Sequence, residues 1–120
     1  MANVLIIDDS PTEQVGLSQM LHKHGHSCTF ASTGAAGINA AKAGKPDVIL
    51  MDVVMPDTNG YQATRKISTD PETKHIPIII VSTKSQPTDR VWGLRQGAKE
   101  YLSKPVEEAA LMAALESVLK

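Results

Sequence analysis

Val48-Ile49-Leu50-Met51-Asp52-Val53-Val54-Met55-Pro56 is the stretch on which the fold turns. Four consecutive apolar side chains run straight into an aspartate, and a proline closes the segment. Successive side chains of a strand point to opposite faces, so an unbroken apolar run marks a strand buried on both sides. Strands of that kind belong to parallel sheets sandwiched between helices. Two more runs behave the same way: Val4 to Ile7 ends in Asp8-Asp9, and Ile78 to Val81 ends in Ser82-Thr83. Cys28 to Ala31 and the brief Tyr101-Leu102 are weaker strand signals expected nearer the sheet edges, the second followed by Lys104-Pro105.

Helical patterns fill the intervals. Ser10-Pro11-Thr12-Glu13 combines a capping box with proline at the first helical position, and the helix it opens carries Leu17, Met20 and Leu21 before stopping at Gly25. An alanine-rich helix is predicted from Gly34 to Ala43, ending at Gly44. A third starts near Gly60 and ends before Asp70-Pro71, and a fourth runs from Gln86-Pro87 to Gly97. The last, from Glu107 to Leu119, spaces Leu111, Leu115 and Val118 as one buried stripe. Strands and helices alternating five times give an α/β fold. The expected architecture is a (βα)5 doubly wound parallel sheet, with the flavodoxin-like strand order 2-1-3-4-5.

The bulk composition agrees. A chain of 120 residues, 42% hydrophobic and 21% charged, suits one domain with a real core and no disulfide staples. Twelve Lys+Arg against 13 Asp+Glu leave a net charge of −1, and no basic stripe or tail offers a nucleic-acid footprint. One cysteine excludes an intramolecular disulfide and fits a reducing cytoplasm. Neither a signal peptide nor a run of membrane-spanning length is present. We therefore expect a single domain spanning residues 1–120, without an output domain, that acts as a cytoplasmic monomer.

The polar residues at the strand ends carry the chemistry. All strand C-termini of a parallel sheet lie at one edge, so Asp8, Asp9, Asp52, Ser82 and Lys104 converge there from distant parts of the sequence. Any one of these aspartates would ordinarily be read as a turn or cap residue. Five such positions at the same edge of one sheet favour a site instead. Two like charges ~4 Å apart at an effective dielectric of ~20 repel by about 4 kcal/mol, so clustered aspartates demand a cation or raise one another's pKa. An all-oxygen site of a few carboxylates is how Mg²⁺ is held, with Mn²⁺ a possible substitute. Such an ion, with Lys104, would neutralise a phosphoryl group, and a carboxylate can attack phosphorus to give an aspartyl phosphate.

Ile7-Asp8-Asp9-Ser10, Met51-Asp52-Val53-Val54-Met55-Pro56, Gly60, Val81-Ser82-Thr83 and Lys104-Pro105, in this order and spacing, resemble the receiver domain of two-component response regulators over essentially the whole chain. The resemblance implies that Asp52 is the phosphoacceptor and that Asp8, Asp9 and the backbone carbonyl of Val54 join it around Mg²⁺. It further implies that Ser82 is the switch hydroxyl, Tyr101 the switch aromatic and Lys104 the phosphate-binding lysine, and that the Lys104–Pro105 peptide is cis. Thr83 is bulkier than the small residue many receivers carry there, and Val54 has no polar side chain to position water; both bear on the dephosphorylation rate. A narrower resemblance, to the stand-alone regulators of type IV pilus twitching motility (the PilH type), rests on four stretches. They are Asp9-Ser10-Pro11-Thr12-Glu13, His22-Lys23-His24-Gly25-His26, Asn59-Gly60-Tyr61-Gln62-Ala63-Thr64-Arg65 and Val91-Trp92-Gly93. It implies a histidine kinase as phosphodonor and a downstream motility or signalling protein as partner. Alternative readings are a phosphate sink for a sister regulator, a phosphorylation-independent scaffold, and an aspartyl-phosphate phosphatase. The last normally needs a second acid/base carboxylate and a cap over the substrate, neither evident here.

His22, His24 and His26 straddle a helix end and should diverge as solvated polar residues, since zinc sites draw ligands from more than one segment. Cys28 reads as a small buried hydrophobe, and Gly60 as the residue that serves the loop-to-helix turn beside the site. On the fourth helix, Val91, Leu94 and Ala98 form the expected inward stripe. Trp92 lies roughly 130° away at ~100° per residue, exposed enough to form a docking patch with Tyr101.

Overall fold

The structure, a computed structural model, describes residues 1–120. Five strands alternate with five helices: β1 (Asn3–Ile7), α1 (Pro11–Lys23), β2 (Ser27–Ala31), α2 (Gly34–Gly44), β3 (Val48–Met51), α3 (Gly60–Thr69), β4 (Ile78–Ser82), α4 (Pro87–Arg95), β5 (Glu100–Ser103) and α5 (Glu108–Leu119). All strands are parallel, in the order β2-β1-β3-β4-β5, as the sequence predicts. The three continuous apolar runs are the three central strands, and the two weaker signals are the edges.

Alternation within a strand builds two cores at once. Leu5 and Ile7 of β1 join Ile49, Met51, Ile78 and Ile80 beneath α2, α3 and α4. Val4 and Ile6 join Val48, Leu50, Ile79 and Val81 beneath α1 and α5, where Leu17, Leu21, Leu111 and Leu115 are buried. A strand with both faces covered has no polar position to offer, which is why these runs are unbroken.

Local chemistry sets the helix starts. Ser10 Oγ accepts from the Glu13 N–H (3.3 Å), Thr33 Oγ1 from Ala36 (3.0 Å), and Asn59 Oδ1 from Tyr61 (2.8 Å) and Gln62 (3.3 Å). The capping box expected for α1 is only half present, because the Glu13 carboxylate turns toward Lys104 (3.8 Å). Gly25 takes a left-handed φ of 83° just past α1, while α2 ends with Lys45, not glycine, in that conformation at φ 44°.

Helix α4 corrects the sequence reading. Val91 and Leu94, expected to face inward, are exposed, and the buried residue of the helix is Gly93, with Ala98 buried just beyond its end. The backbone of α4 lies so close to the sheet that a β-carbon at Gly93 would meet the side chains of Ile80 (2.8 Å) and Tyr101 (2.9 Å). Contact made through a glycine leaves no apolar side chain to mark the inward face.

Candidate functional site

Because β1 and β3 are neighbours whose following helices cover opposite faces, a crevice opens where the chain order reverses. Asp8 continues β1, its N–H donating to Ala31 O (3.0 Å), and Asp52 continues β3, its N–H donating to Ile7 O (2.9 Å). Both side chains are buried, whereas Asp9 is exposed at the rim. The Ser10 N–H donates to Asp8 Oδ1 (2.9 Å), which fixes that carboxylate, and the Gln14 amide donates to the Asp8 backbone carbonyl (2.6 Å). Carboxylate oxygens of Asp8, Asp9 and Asp52 lie within 4.8 Å of one another.

Lys104 reaches back over this group from the end of β5. Its Nζ donates to Asp8 Oδ2 (2.8 Å) and stands 3.7 Å from Asp52 Oδ1. The Lys104 N–H donates to Ser82 O (2.9 Å), which anchors its backbone beside β4. The Lys104–Pro105 peptide is cis, as the resemblance implies. Ser82 is fully buried at the end of β4, where its Oγ accepts from the Lys84 N–H (3.1 Å). Thr83 and Val54 are exposed at the mouth.

Burial pushes the Asp52 carboxyl above the usual range, with Lys104 opposing and Asp8 reinforcing that shift; N–H groups of Val53 and Val54 also oppose it. For Lys104, burial alone would lower the pKa, but the hydrogen bond to Asp8 and the charges of Asp52, Asp8 and Glu13 together raise it, so it stays an ammonium ion. The carboxylates of Asp8, Asp52 and Glu13 thus share one side-chain cation, with that of Asp9 beside them at the rim. The donor set is all oxygen and strongly anionic. Oxygens gathered this closely suit an ion that takes oxygen ligands and keeps several waters, as Mg²⁺ does.

The structure thus brings Asp8, Asp9, Asp52, Ser82 and Lys104 to one sheet edge, as the strand-end pattern predicts. It does not bring Tyr101 to the surface. The docking patch expected from Trp92 and Tyr101 is corrected: Trp92 is 51% exposed but Tyr101 only 3%, its ring held beneath Gly93 and its hydroxyl donating to Lys84 O (2.6 Å). The histidines diverge as expected, His24 meeting Glu108 (2.9 Å) and His26 accepting from the Ala2 N–H (3.0 Å), and Cys28 packs partly buried against the α1/α5 core. Sequence reasoning missed Glu13, and it missed Asp57, whose carboxylate accepts from the Gly34 (3.0 Å) and Ala35 (3.2 Å) N–H groups at the start of α2. It also missed Tyr61, whose hydroxyl meets that of Tyr101 (3.1 Å). An aspartate or tyrosine away from a strand end carries no positional signal.

Comparison with known proteins agrees with this geometry. The response regulator receiver domain family matches residues 4–116. Protein PilH of Pseudomonas aeruginosa is 56% identical over 119 residues, covering 99% of this chain and 98% of that protein. The chemotaxis protein CheY4 of Vibrio cholerae superposes with a TM-score of 0.91 at 30% identity, covering 99% of both chains. The receiver domain of a Pseudomonas aeruginosa sensor histidine kinase, solved with a magnesium ion coordinated in its active-site cleft, does so with a TM-score of 0.90 at 30% identity, covering 98% of this chain and 97% of that one. No helix here is long and apolar enough to cross a membrane. With its strand order, its acidic crevice and these relatives, the chain belongs to the response regulator receiver domain family.

Proposed function

We propose that this receiver acts as a stand-alone phosphoacceptor: Asp52 takes a phosphoryl group from a histidine kinase, and the resulting change is read by a motility or signalling protein. The observation that carries this reading is the buried Asp52 carboxylate, held between the Asp8 and Asp9 carboxylates and the Lys104 ammonium at one edge of the sheet.

In the proposed transfer an Asp52 oxygen bonds to phosphorus as the bond from phosphorus to the donor's imidazole nitrogen breaks, and the electron pair leaves with that nitrogen. Asp8, Asp9, Asp52 and the carbonyl of Val54 would hold Mg²⁺, which supplies positive charge to the phosphoryl oxygens when bound. Lys104, already within 3.7 Å of Asp52, would exchange part of its contact with Asp8 for a phosphoryl oxygen, and the Ser82 hydroxyl would donate to another. The similarity to PilH, over nearly the full length of both proteins, supports a role in type IV pilus signalling. The domain promotes only its own phosphorylation and dephosphorylation.

Incubation with Mg²⁺ and acetyl phosphate, followed by intact mass, tests the reading. One phosphoryl group per chain is expected, absent in Asp52→Asn and without Mg²⁺. Phosphorylation that survives in Asp52→Asn would sink the assignment.

A further inference from the structure

Tyr61 and Tyr101 are the only two tyrosines of the chain, and they meet in the buried space between α3, α4 and β5. The protons of this contact can be assigned. Lys84 O, 2.6 Å from the Tyr101 hydroxyl, can only accept, so Tyr101 spends its single proton there. The 3.1 Å contact between the two hydroxyls must then be donated by Tyr61, whose other near acceptor is Asp89 O of α4, at 3.3 Å. Burial and the hydroxyl of Tyr101 hold the Tyr61 phenol above its ordinary pKa, so it remains a donor.

The floor and roof of this space are fitted to the ring. A β-carbon at Gly93 would lie 2.9 Å from Tyr101 Cδ2 and 3.1 Å from Cε2, so α4 sits directly on the ring only because that residue is glycine. Arg90 Nη1 donates to the Tyr101 carbonyl (3.0 Å) and draws the same helix onto β5. Were Tyr101 to swing out, Lys84 O would lose its donor, the Tyr61 hydroxyl would lose the nearer of its two acceptors, and a ring-sized void would open under α4. Each of these opposes the outward position. None depends on charge at Asp52.

We infer that Tyr61 and Gly93 form a seat that holds Tyr101 inward before any phosphoryl group is attached, which makes Tyr61 a positioning residue for the switch aromatic. The inference rests on the reading of Tyr101 as that aromatic. It has a functional consequence: the surface over α4 and β5 is already in its inward-Tyr101 form in the resting protein, and phosphorylation has less left to change there.

With two tyrosines, ring-¹³C-tyrosine protein gives two ring systems, and in Tyr61→Phe the remaining one is Tyr101. Without Mg²⁺ or beryllofluoride, the wild-type Tyr101 ring is expected to show cross-peaks to the Ile80 methyl and to Gly93. Removing the Tyr61 hydroxyl should lower the inward-to-outward ratio about two- to tenfold, the range a single net hydrogen bond sets. The apparent beryllofluoride affinity in Mg²⁺ should fall by no more than the same factor, because the coupling is reciprocal. Gly93→Ala, which crowds the ring from the other side, should move the ratio in the same direction. A merely structural Tyr61 would change the melting temperature and leave the ring populations alone. An outward Tyr101 in the resting wild type, or a ratio unmoved in a folded Tyr61→Phe, overturns the inference. The receiver reading fails on a different result, the absence of any Asp52-dependent response to beryllofluoride in the wild type.

Discussion

A β-carbon at Gly60 would run into the carbonyl oxygen of Asp52 and lie 2.5 Å from the Cα of Val53. Neither obstacle is the flexible end of a side chain; both are the backbone that carries Asp52, the proposed phosphoacceptor. Gly60 is not in a left-handed conformation, so its role is close approach. Gly60→Ala should cost about 1–3 kcal/mol through overpacking and should slow phosphorylation of Asp52 further than the lost stability explains. Urea unfolding beside acetyl-phosphate kinetics measures both; an unchanged rate in a folded variant would show that the Asp52 backbone absorbs the methyl freely. The residues of the site were legible in the sequence where the fold makes position meaningful: Asp8, Asp9, Asp52, Ser82 and Lys104 each end a strand or follow one closely. Glu13 was not, because it lies on the first turn of α1 and looks like half of a capping box until Lys104, 91 positions along the chain, is seen beside it.

Among the elements, α2 depends on a residue that is not its own. Asp57, in the loop after β3, accepts from the Gly34 and Ala35 N–H groups (3.0 and 3.2 Å), while the helix's own cap, Thr33, takes only that of Ala36. These backbone donors hold the Asp57 carboxyl below the usual range. A carboxylate depressed by folding contributes stability above its unfolded value of 3.8, and that stability is lost as the pH falls through the lower folded value. Asp57→Ala should therefore melt below the wild type at pH 7, and the gap should narrow as the pH falls below 3.8 and close once the wild-type carboxyl has protonated in the folded state. A gap that persists in strong acid would mean Asp57 acts by packing. The elements also mark where the sequence stops being readable. The central strands announce themselves because burial on both faces forbids polar residues. Helix α4 misleads because its contact with the sheet is Gly93, so its apolar side chains Val91, Trp92 and Leu94 are all exposed and periodicity points the wrong way. The burial of Tyr101 is hidden in the sequence for the same reason, since the roof that covers it is Gly93 and has no side chain.

Across the whole molecule charge is almost balanced, with 12 Lys+Arg against 13 Asp+Glu, so the excess of carboxylate in the crevice is made by the fold and not by composition. Two cores, one on each face of the sheet, hold β1, β3 and β5 in register, and that rigidity keeps Asp8, Asp9 and Asp52 together with only Lys104 to offset them. Asp52 sits among two like charges and one opposite charge. Burial penalises its charge, and the attraction of Lys104, itself opposed by the repulsion of Asp8, does not cancel that penalty, so the Asp52 carboxyl lies above the usual range. Asp52→Asn should therefore raise the melting temperature of the metal-free protein, by roughly 3–6 °C for each kcal/mol relieved in a domain of this size. Mg²⁺ should invert the order. At a hundredfold excess over its Kd, a ligand that binds only the folded state adds about 2.7 kcal/mol, and the variant, short of one anionic oxygen, should gain less than the wild type. Thermal unfolding of both proteins in EDTA and in saturating Mg²⁺ checks the crossing. If Asp52→Asn is the less stable in EDTA, the ion pair with Lys104 outweighs both carboxylate neighbours and the crevice is no burden on the fold. If the variant is the more stable, the aspartate proposed as phosphoacceptor is held in place at the expense of the metal-free fold.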